Sequence, residues 1–424
     1  MRRLICIVIC LLAPAIAGAS EAAQQAAPPQ REMVRVFLDC DRCDENYLKK
    51  EVTFVDYVRN REDSDVHVLV TTQGTGGGGT QWTLRFIGIG LNVGSNQTLT
   101  YNSPQTATSD EVRSGFKEIF KVGLVRYAAQ TAIADRLRVT YTKPEGTGTA
   151  AAKKDPWNYW IYRVNGGGNF NGEESSTGRS VRGSFSANRT TDAWRTSLEA
   201  FANYRDSTFV LEDDSTLLSV SRNLNASGIM VKSLTQHWSL GLMGSAGANT
   251  FQNFALKTRL APGIEYDIYP YSESTRRMLT VQYTIGHDLH HYREETVFGK
   301  LRDQLIDHRA EVGLSLRQPW GSTSAQFSFN QYLNEPSKYS LGLFGGGNFR
   351  IVKGLSFDMF GEFSRTRDQV YLPRGEASTE EILLRQRQLL TGYQYYFNFG
   401  VSYSFGSIFN NIVNPRFGGA GFDF

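Results

Sequence analysis

The chain has 424 residues, more than one compact domain of about 100–150 residues accounts for, so two or more units are expected. Its 45 basic and 42 acidic side chains leave a net charge of +3, too balanced to point to a nucleic acid, and none is expected as a partner. Gly (41), Phe (26) and Tyr (20) are abundant and aromatics reach 12%, which favours turn-rich β structure and excludes a coiled coil or a disordered chain.

Arg2 and Arg3 precede an apolar run from Leu4 to Ala17, and Ala17-Gly18-Ala19 fits the small-x-small rule of a cleavage site. Residues 1–19 therefore read as a secretory signal peptide; the run is shorter than the roughly 20 apolar residues of a membrane-spanning helix. Residues 20–33 have no periodicity and read as a flexible leader. The chain beyond them keeps two cysteines, Cys40 and Cys43, which after export form a local disulfide or stay as two thiols. A redox pair would open a helix in a βαβ unit, and three aspartates (Asp39, Asp41, Asp44) surround this one; a zinc site would need two more ligands nearby.

Residues 34–142 read as an α+β domain ordered β-α-β-β-β-α-β. Val34, Val36 and Leu38 alternate as a strand, and Leu48, Val52, Val55 and Val58 recur at helical spacing over 44–59. Val66, Val68 and Val70 predict a strand that turns through the glycines of 74–79 and returns through Trp82, Leu84 and Phe86. That glycine run has no Gly-Lys-Ser/Thr ending and no following helix, so it is a hairpin loop and not a phosphate loop. Leu99 and Tyr101 predict another strand. Thr108 and Glu111 form a capping box ahead of a helix bearing Val112, Phe116, Ile119, Phe120 and Gly123, and Leu137, Val139 and Tyr141 predict a closing strand.

Residues 143–156 read as a linker. Beyond them period-2 alternation recurs to about residue 406, best seen in Tyr393, Tyr395, Phe397, Phe399, Val401, Tyr403 and Phe405. Twelve strands are expected, near 158–171, 178–188, 192–207, 215–230, 237–248, 254–268, 276–290, 305–318, 322–333, 337–351, 354–367 and 388–405. Alternation alone also fits a soluble sandwich with its apolar face inward. Three features favour a transmembrane β-barrel over 157–406 instead. The strands are long, where soluble ones average about 5–6 residues and a tilted membrane-spanning strand needs about 9–11. Their number is even. The connectors also sort by length: 269–274, 318–321 and 352–354 are short, whereas 291–304 and 368–387 are long and belong on the outer side. Lipid offers no hydrogen-bond partner, so the sheet must close and turn its apolar face outward. Trp157, Trp194, Trp238, Tyr266 and Trp320 then read as interfacial girdles.

The opposite face carries Arg163, Arg182, Arg195, Lys257, Arg259, Glu265, Asp267, Glu311, Arg317, Arg350, Asp358 and Glu362, the candidate lumen-facing charges. They pair as a network filling the lumen, or they line a narrow pore whose basic excess favours anions. His287, His290 and His291 are weak metal candidates, because strand geometry turns His290 away from the other two. His237 and Ser239 share a strand face as in barrel-wall phospholipases, but lie at the wrong end for outer-leaflet lipid and lack an orienting partner. No catalytic residue, metal or cofactor is expected, and the chain is read as a non-enzyme. Ser378–Leu384 holds a capping box that suits a helical lid or a plain loop.

The aromatic strands from Leu260 to Phe405, ending Gly400-Val401-Ser402-Tyr403-Ser404-Phe405, resemble bacterial outer-membrane β-barrels, among them the salt-induced outer-membrane proteins. The chain departs from them by continuing through a tail, 407–424, which either tucks back at the periplasmic side or contains the true last strand. The strand meander of 34–142 and its helix start Asp110-Glu111-x-Arg113 are similar to the amino-terminal domain of TolB, which implies binding of a periplasmic or envelope protein. The expectation is a two-part envelope protein: an α+β domain in the periplasm and a twelve-stranded barrel in outer-membrane lipid. A narrow solute channel is the first functional reading. A barrel anchoring a partner-binding domain is the second, and a lipid-modifying enzyme a weaker third.

Overall fold

In a computed structural model, residues 32–141, 155–210, 215–375 and 390–414 can be described. The expected signal peptide, most of the leader, the body of the linker, the 378–384 segment and the end of the tail lie outside them.

The small unit is a mixed five-stranded sheet ordered β2-β1-β3-β4-β5, built from β1 (Val34–Asp39), β2 (Val55–Tyr57), β3 (Val66–Gly74), β4 (Thr80–Gly88) and β5 (Gln97–Ser103). Helix α2 (Ser109–Ala128) starts at the capping box: Thr108 accepts from the Glu111 amide, and the Glu111 carboxylate accepts from the Thr108 amide at 2.7 Å. It lays Phe116, Phe120, Leu124 and Tyr127 on Val36, Val68, Leu84 and Phe86, all buried. Gly123 sits in van der Waals contact with the Phe86 ring, where a side chain would not fit.

Two expectations fail here. The helix predicted over 44–59 is only α1, Glu45–Glu51. Val52, Thr53 and Val55 are β-branched and favour extended backbone, and residues 55–57 leave the helix to pair in parallel with β1. The predicted strand around Leu137–Tyr141 does not form. Leu137 packs on the core, but Val139 and Tyr141 find no partner and stand exposed.

The large unit is a twelve-stranded antiparallel meander. Its strands are β6 (Trp160–Gly172), β7 (Ser176–Thr190), β8 (Trp194–Val210), β9 (Thr216–Ser233), β10 (Trp238–Asn249) and β11 (Phe254–Asp267), then β12 (Arg277–Tyr292), β13 (Arg302–Gln318), β14 (Gly321–Tyr332), β15 (Tyr339–Val352), β16 (Leu355–Thr366) and β17 (Tyr393–Tyr403). Each matches one of the twelve predicted segments. The connections 191–193, 234–237, 268–276, 319–320 and 353–354 lie at the end nearer the small unit, and 173–175, 250–253, 293–301 and 333–338 at the far end, where residues 367–375 also lie. Trp238 packs on Tyr266 at 4.6 Å, and Trp320 stacks on Phe349 at 5.8 Å, both at the near end.

Ten strand steps separate β6 from β16, about 48 Å in a flat sheet, whereas a domain of this size is only about 30–35 Å across. The same small unit nonetheless meets both. Gly76 and Gly77 lie against Thr190 and Ile161, while Asp63 accepts a hydrogen bond from Lys353 at 2.7 Å. The sheet is therefore curled. Among the described residues no ladder joins β6 to β17.

Register assigns the two faces. One holds Val164, Val181, Tyr204, Leu224, Leu242, Leu260, Tyr283, Leu343 and Phe397, all exposed to the surroundings. The other holds Arg182, Arg205, Lys257, Arg259, Asp307, Glu311, Asp358 and Glu362. Core packing in the usual sense is confined to the small unit and one end of the curled sheet.

Candidate functional site

The candidate site is the charged inner face and its two ends. At the near end, the small unit's sheet is buried on both sides. Val66, Val68 and Val70 face α2, whereas His67, Leu69 and Thr71 are buried on the opposite side. There Leu69, Thr71, Thr83, Arg85 and Thr98 face Ser272, Glu273, Thr275 and Arg276 of the β11–β12 connection across a groove of about 410 Å³.

Ion pairs fix this contact. Arg350 Nη1 and Nη2 each donate to Asp39 at 2.7 Å, and the guanidinium lies over the Phe37 ring at 4.9 Å. Arg317 pairs with Asp41 at 3.4 Å and Lys353 with Asp63. Cys40 and Cys43, beside Asp39 and Asp41, form a disulfide. Behind Asp39 lies His67, fully buried: Arg61 Nε donates to its Nδ1 at 3.2 Å, so Nε2 carries the proton and donates to Asp39 at 3.0 Å. Burial works to raise the Asp39 carboxyl, but Arg350 and His67 outweigh it and hold the group down at about 2. Burial, with Arg350 and Arg61 beside it, holds the His67 imidazole below its ordinary value against the pull of Asp39.

The tail closes the same end. Phe409 bridges Val58 in antiparallel fashion, the Arg59 amide donates to Ile408 O at 2.9 Å, and the Asn410 amide donates to Tyr57 O at 2.8 Å. Asn411 accepts from the Tyr57 amide and donates to Asp56 at 2.8 Å. Residues 408–411 thus extend the small sheet beyond β2, protecting an edge that would otherwise be open.

The β11–β14 wall carries a continuous polar network. Asp307, fully buried, accepts from Arg259 at 3.1 Å and from Arg309 at 2.7 Å. Arg259 also donates to Thr284 at 3.1 Å and lies 3.8 Å from Asp288. The Tyr292 hydroxyl donates to Asp303 at 2.9 Å, and its oxygen therefore accepts from His290 Nδ1 at 3.2 Å, leaving His290 Nε2 at 3.6 Å from Asp288. Over this wall the chain after β16 folds back. Asp368 accepts from Ser340 at 2.7 Å and Asn330 at 3.2 Å, Val370 is buried beside Leu305 and Tyr332, and Tyr371 packs on Phe254 at 5.1 Å. Asn253, in a left-handed conformation at φ 60°, donates to the carbonyls of both Glu294 and Tyr371.

The predicted site residues separate accordingly. Arg259 belongs to the network and Lys257 lies beside it over the Phe254 ring, while Glu265, Asp267, Glu311, Asp358 and Glu362 occupy the same face on β11, β13 and β16. Arg317 and Arg350 sit on that face too, but their partners are carboxylates of the small unit and not charges across the lumen, because they lie at the rim where that unit docks. Arg163 also reaches the small unit, beside Gly78, and Arg195 faces inward from the start of β8. Arg182 lines a hollow between β6 and β8. His287 and His291 point to the opposite face from His290, and among the described residues no three His, Cys, Asp or Glu side chains gather as a metal cage. His237 Nδ1 donates to the Asp267 carbonyl at 2.6 Å and not to Ser239. Sequence reasoning missed Asp303, Asp307 and Arg309, and took Asp288 with the histidines as one ligand-type cluster. Their even or odd spacing with Lys257-type positions was readable, but Asp307 follows the outward-facing Ile306 in a strand end that a loop covers.

No family model matches the chain, and no curated protein matches it. Among solved structures, it is similar to the NanC porin in a rhombohedral crystal form, at 10% identity and a TM-score of 0.27, over 57% of this chain and 99% of that one. It is also similar to the β-domain of the Bordetella autotransporter BrkA, at 12% identity and a TM-score of 0.25, over 58% of this chain and 98% of that one. Likenesses of that size leave the reading to the geometry of this chain.

Proposed function

We propose that the chain is an outer-membrane β-barrel protein that passes small hydrophilic solutes through a narrow lumen, closed at its periplasmic mouth by its own N-terminal domain. The observation that carries this reading is the exterior of the curled sheet. Leu224, Leu260, Val164 and Phe397 stand 57%, 57%, 78% and 58% exposed in an apolar surface that continues around the strands, while Lys257, Arg259, Asp307, Glu311, Asp358 and Glu362 lie on the inner face. Water does not tolerate a patch of that extent, and lipid does. The long strands, the even strand number, the short connections on the domain side and the apolar N-terminal run all support export to the outer membrane, with the small domain in the periplasm. We assign the chain no catalytic role.

The second reading, a structural barrel that presents the small domain to an envelope partner, is favoured by the filled β11–β14 wall, which narrows the lumen. Planar-bilayer recordings separate the two. A channel conducts, and conducts more when residues 34–142 are deleted; an anchor stays silent in both forms. Heat-modifiable migration of outer-membrane fractions tests the barrel itself.

A further inference from the structure

The inner face is electrostatically lopsided. On β11–β14 Arg259 and Arg309 are both engaged by Asp307. On β6–β8, across the lumen, Arg182 and Arg205 make no ion pair or hydrogen bond among the described residues, and both are exposed. They project into a hollow of about 370 Å³ that is also lined by Asn169, Asn171, Gly178, Arg179, Ser180 and Ser207, the charge of Arg179 being met by Asp206. In the ladder Arg182 lies opposite Asn203 and Arg205 opposite Ser180, so the two arginines are diagonal neighbours on one face, about 7–8 Å apart at their Cβ atoms. Gly167, opposite Arg182 on β6, contributes no side chain; a Cβ there would stand 3.6 Å from the guanidinium Nε. The nearest carboxylate on these strands, Asp206, points to the other face and is held by Arg179 at 2.8 Å.

We propose that this hollow is a binding site for a small hydroxylated organic anion, with a carboxylate between Arg182 and Arg205 and hydroxyls met by the two asparagines and two serines. Two unpaired guanidinium groups in a pocket of small-ligand size are donors without an acceptor, and a planar carboxylate matches their geometry. Amide and hydroxyl side chains both give and accept hydrogen bonds, which suits a polyol and offers nothing to an apolar acid. On the β11–β14 wall Arg259 and Arg309 are held by Asp307, and Lys257 lies over the Phe254 ring at 5.2 Å. The proposal rests on the channel reading for its physiological meaning but not for its existence, since a filled site binds whether or not the lumen conducts.

The test uses the full chain in detergent, titrated calorimetrically at fixed ionic strength with sodium gluconate as the probe and with sorbitol, its uncharged counterpart. Wild type binds gluconate and not sorbitol. R182Q/R205Q, checked for an unchanged heat-modifiable gel shift, binds gluconate at least about tenfold more weakly. G167V, which crowds the Arg182 guanidinium and leaves both charges in place, weakens binding as well. No gluconate binding by wild type, equal binding of sorbitol, or wild-type affinity in both variants overturns the proposal. A protein that binds gluconate but is silent in planar bilayers keeps the site and loses the channel.

Discussion

Arg350 and Asp39, 311 residues apart in the chain, are joined by two hydrogen bonds of 2.7 Å that lock the last third of the curled sheet to the first strand of the N-terminal domain. The pair is partly shielded, with the carboxylate 14% and the guanidinium 31% exposed, so it is worth more than a surface ion pair. R350A leaves Asp39 with only His67 and is expected to weaken docking by roughly 2–3 kcal/mol. Hydrogen exchange at the β3 amides, which sit in the contact, should accelerate, and the charge swap D39R/R350D should recover part of the protection. Unchanged exchange in R350A would show that the pair does not hold the domain.

Acid should loosen the same contact in two stages. His67 is held below its ordinary value in the folded chain, so the unfolded form takes up the extra proton first, and stability falls as pH drops through about 6.5. Asp39 is depressed from 3.8 to about 2, so its contribution is complete above 3.8 and disappears as pH falls toward 2. Together these make the domain most firmly seated at neutral and mildly alkaline pH. Limited proteolysis across pH 3–8 reads the trend, and H67Q should remove the upper stage while leaving the lower one.

Residues 408–411 of the tail bridge the edge of the small sheet, and their removal should be felt about 350 residues away in sequence. A chain ending at Phe405 loses the acceptors of the Arg59 and Tyr57 amides, Ile408 O and Asn411 Oδ1. Exchange at those two amides should rise in the truncated chain, with N411A affecting Tyr57 alone. Protection that survives the truncation would mean that another segment covers the β2 edge.

Asp307 is the hinge of the inner network, fully buried between two arginines. D307A leaves Arg259 and Arg309 without their carboxylate in a water-poor wall, a loss expected to cost about 3–5 kcal/mol. The heat-modified gel shift should occur at a visibly lower temperature, whereas E362Q, on the same face but outside the network, should leave it in place.

Gly123 offers a control confined to the small domain. A methyl group there runs into the Phe86 ring, and G123A should destabilise the domain by about 1–3 kcal/mol without altering the barrel's gel shift.

All twelve long strands, and the side of each that is apolar, are legible in the residue order, because alternation is a local property and each strand carries its own copy of it. The capping box at Thr108 is local in the same sense. Short apolar runs are not: Val52–Val58 satisfies helical spacing on paper, and only the vacant edge beside β1 decides that it becomes strand. The engagement of Arg317 and Arg350 by Asp41 and Asp39, the tail beside Tyr57, the fold-back of Asp368 and Val370 over Asp307, and the idleness of Arg182 and Arg205 belong to the tertiary structure alone. Periodicity tells a charged residue which face it shares. Which opposite charge reaches it depends on how the sheet curls and where distant segments come to rest, and nothing within a few residues of it encodes that.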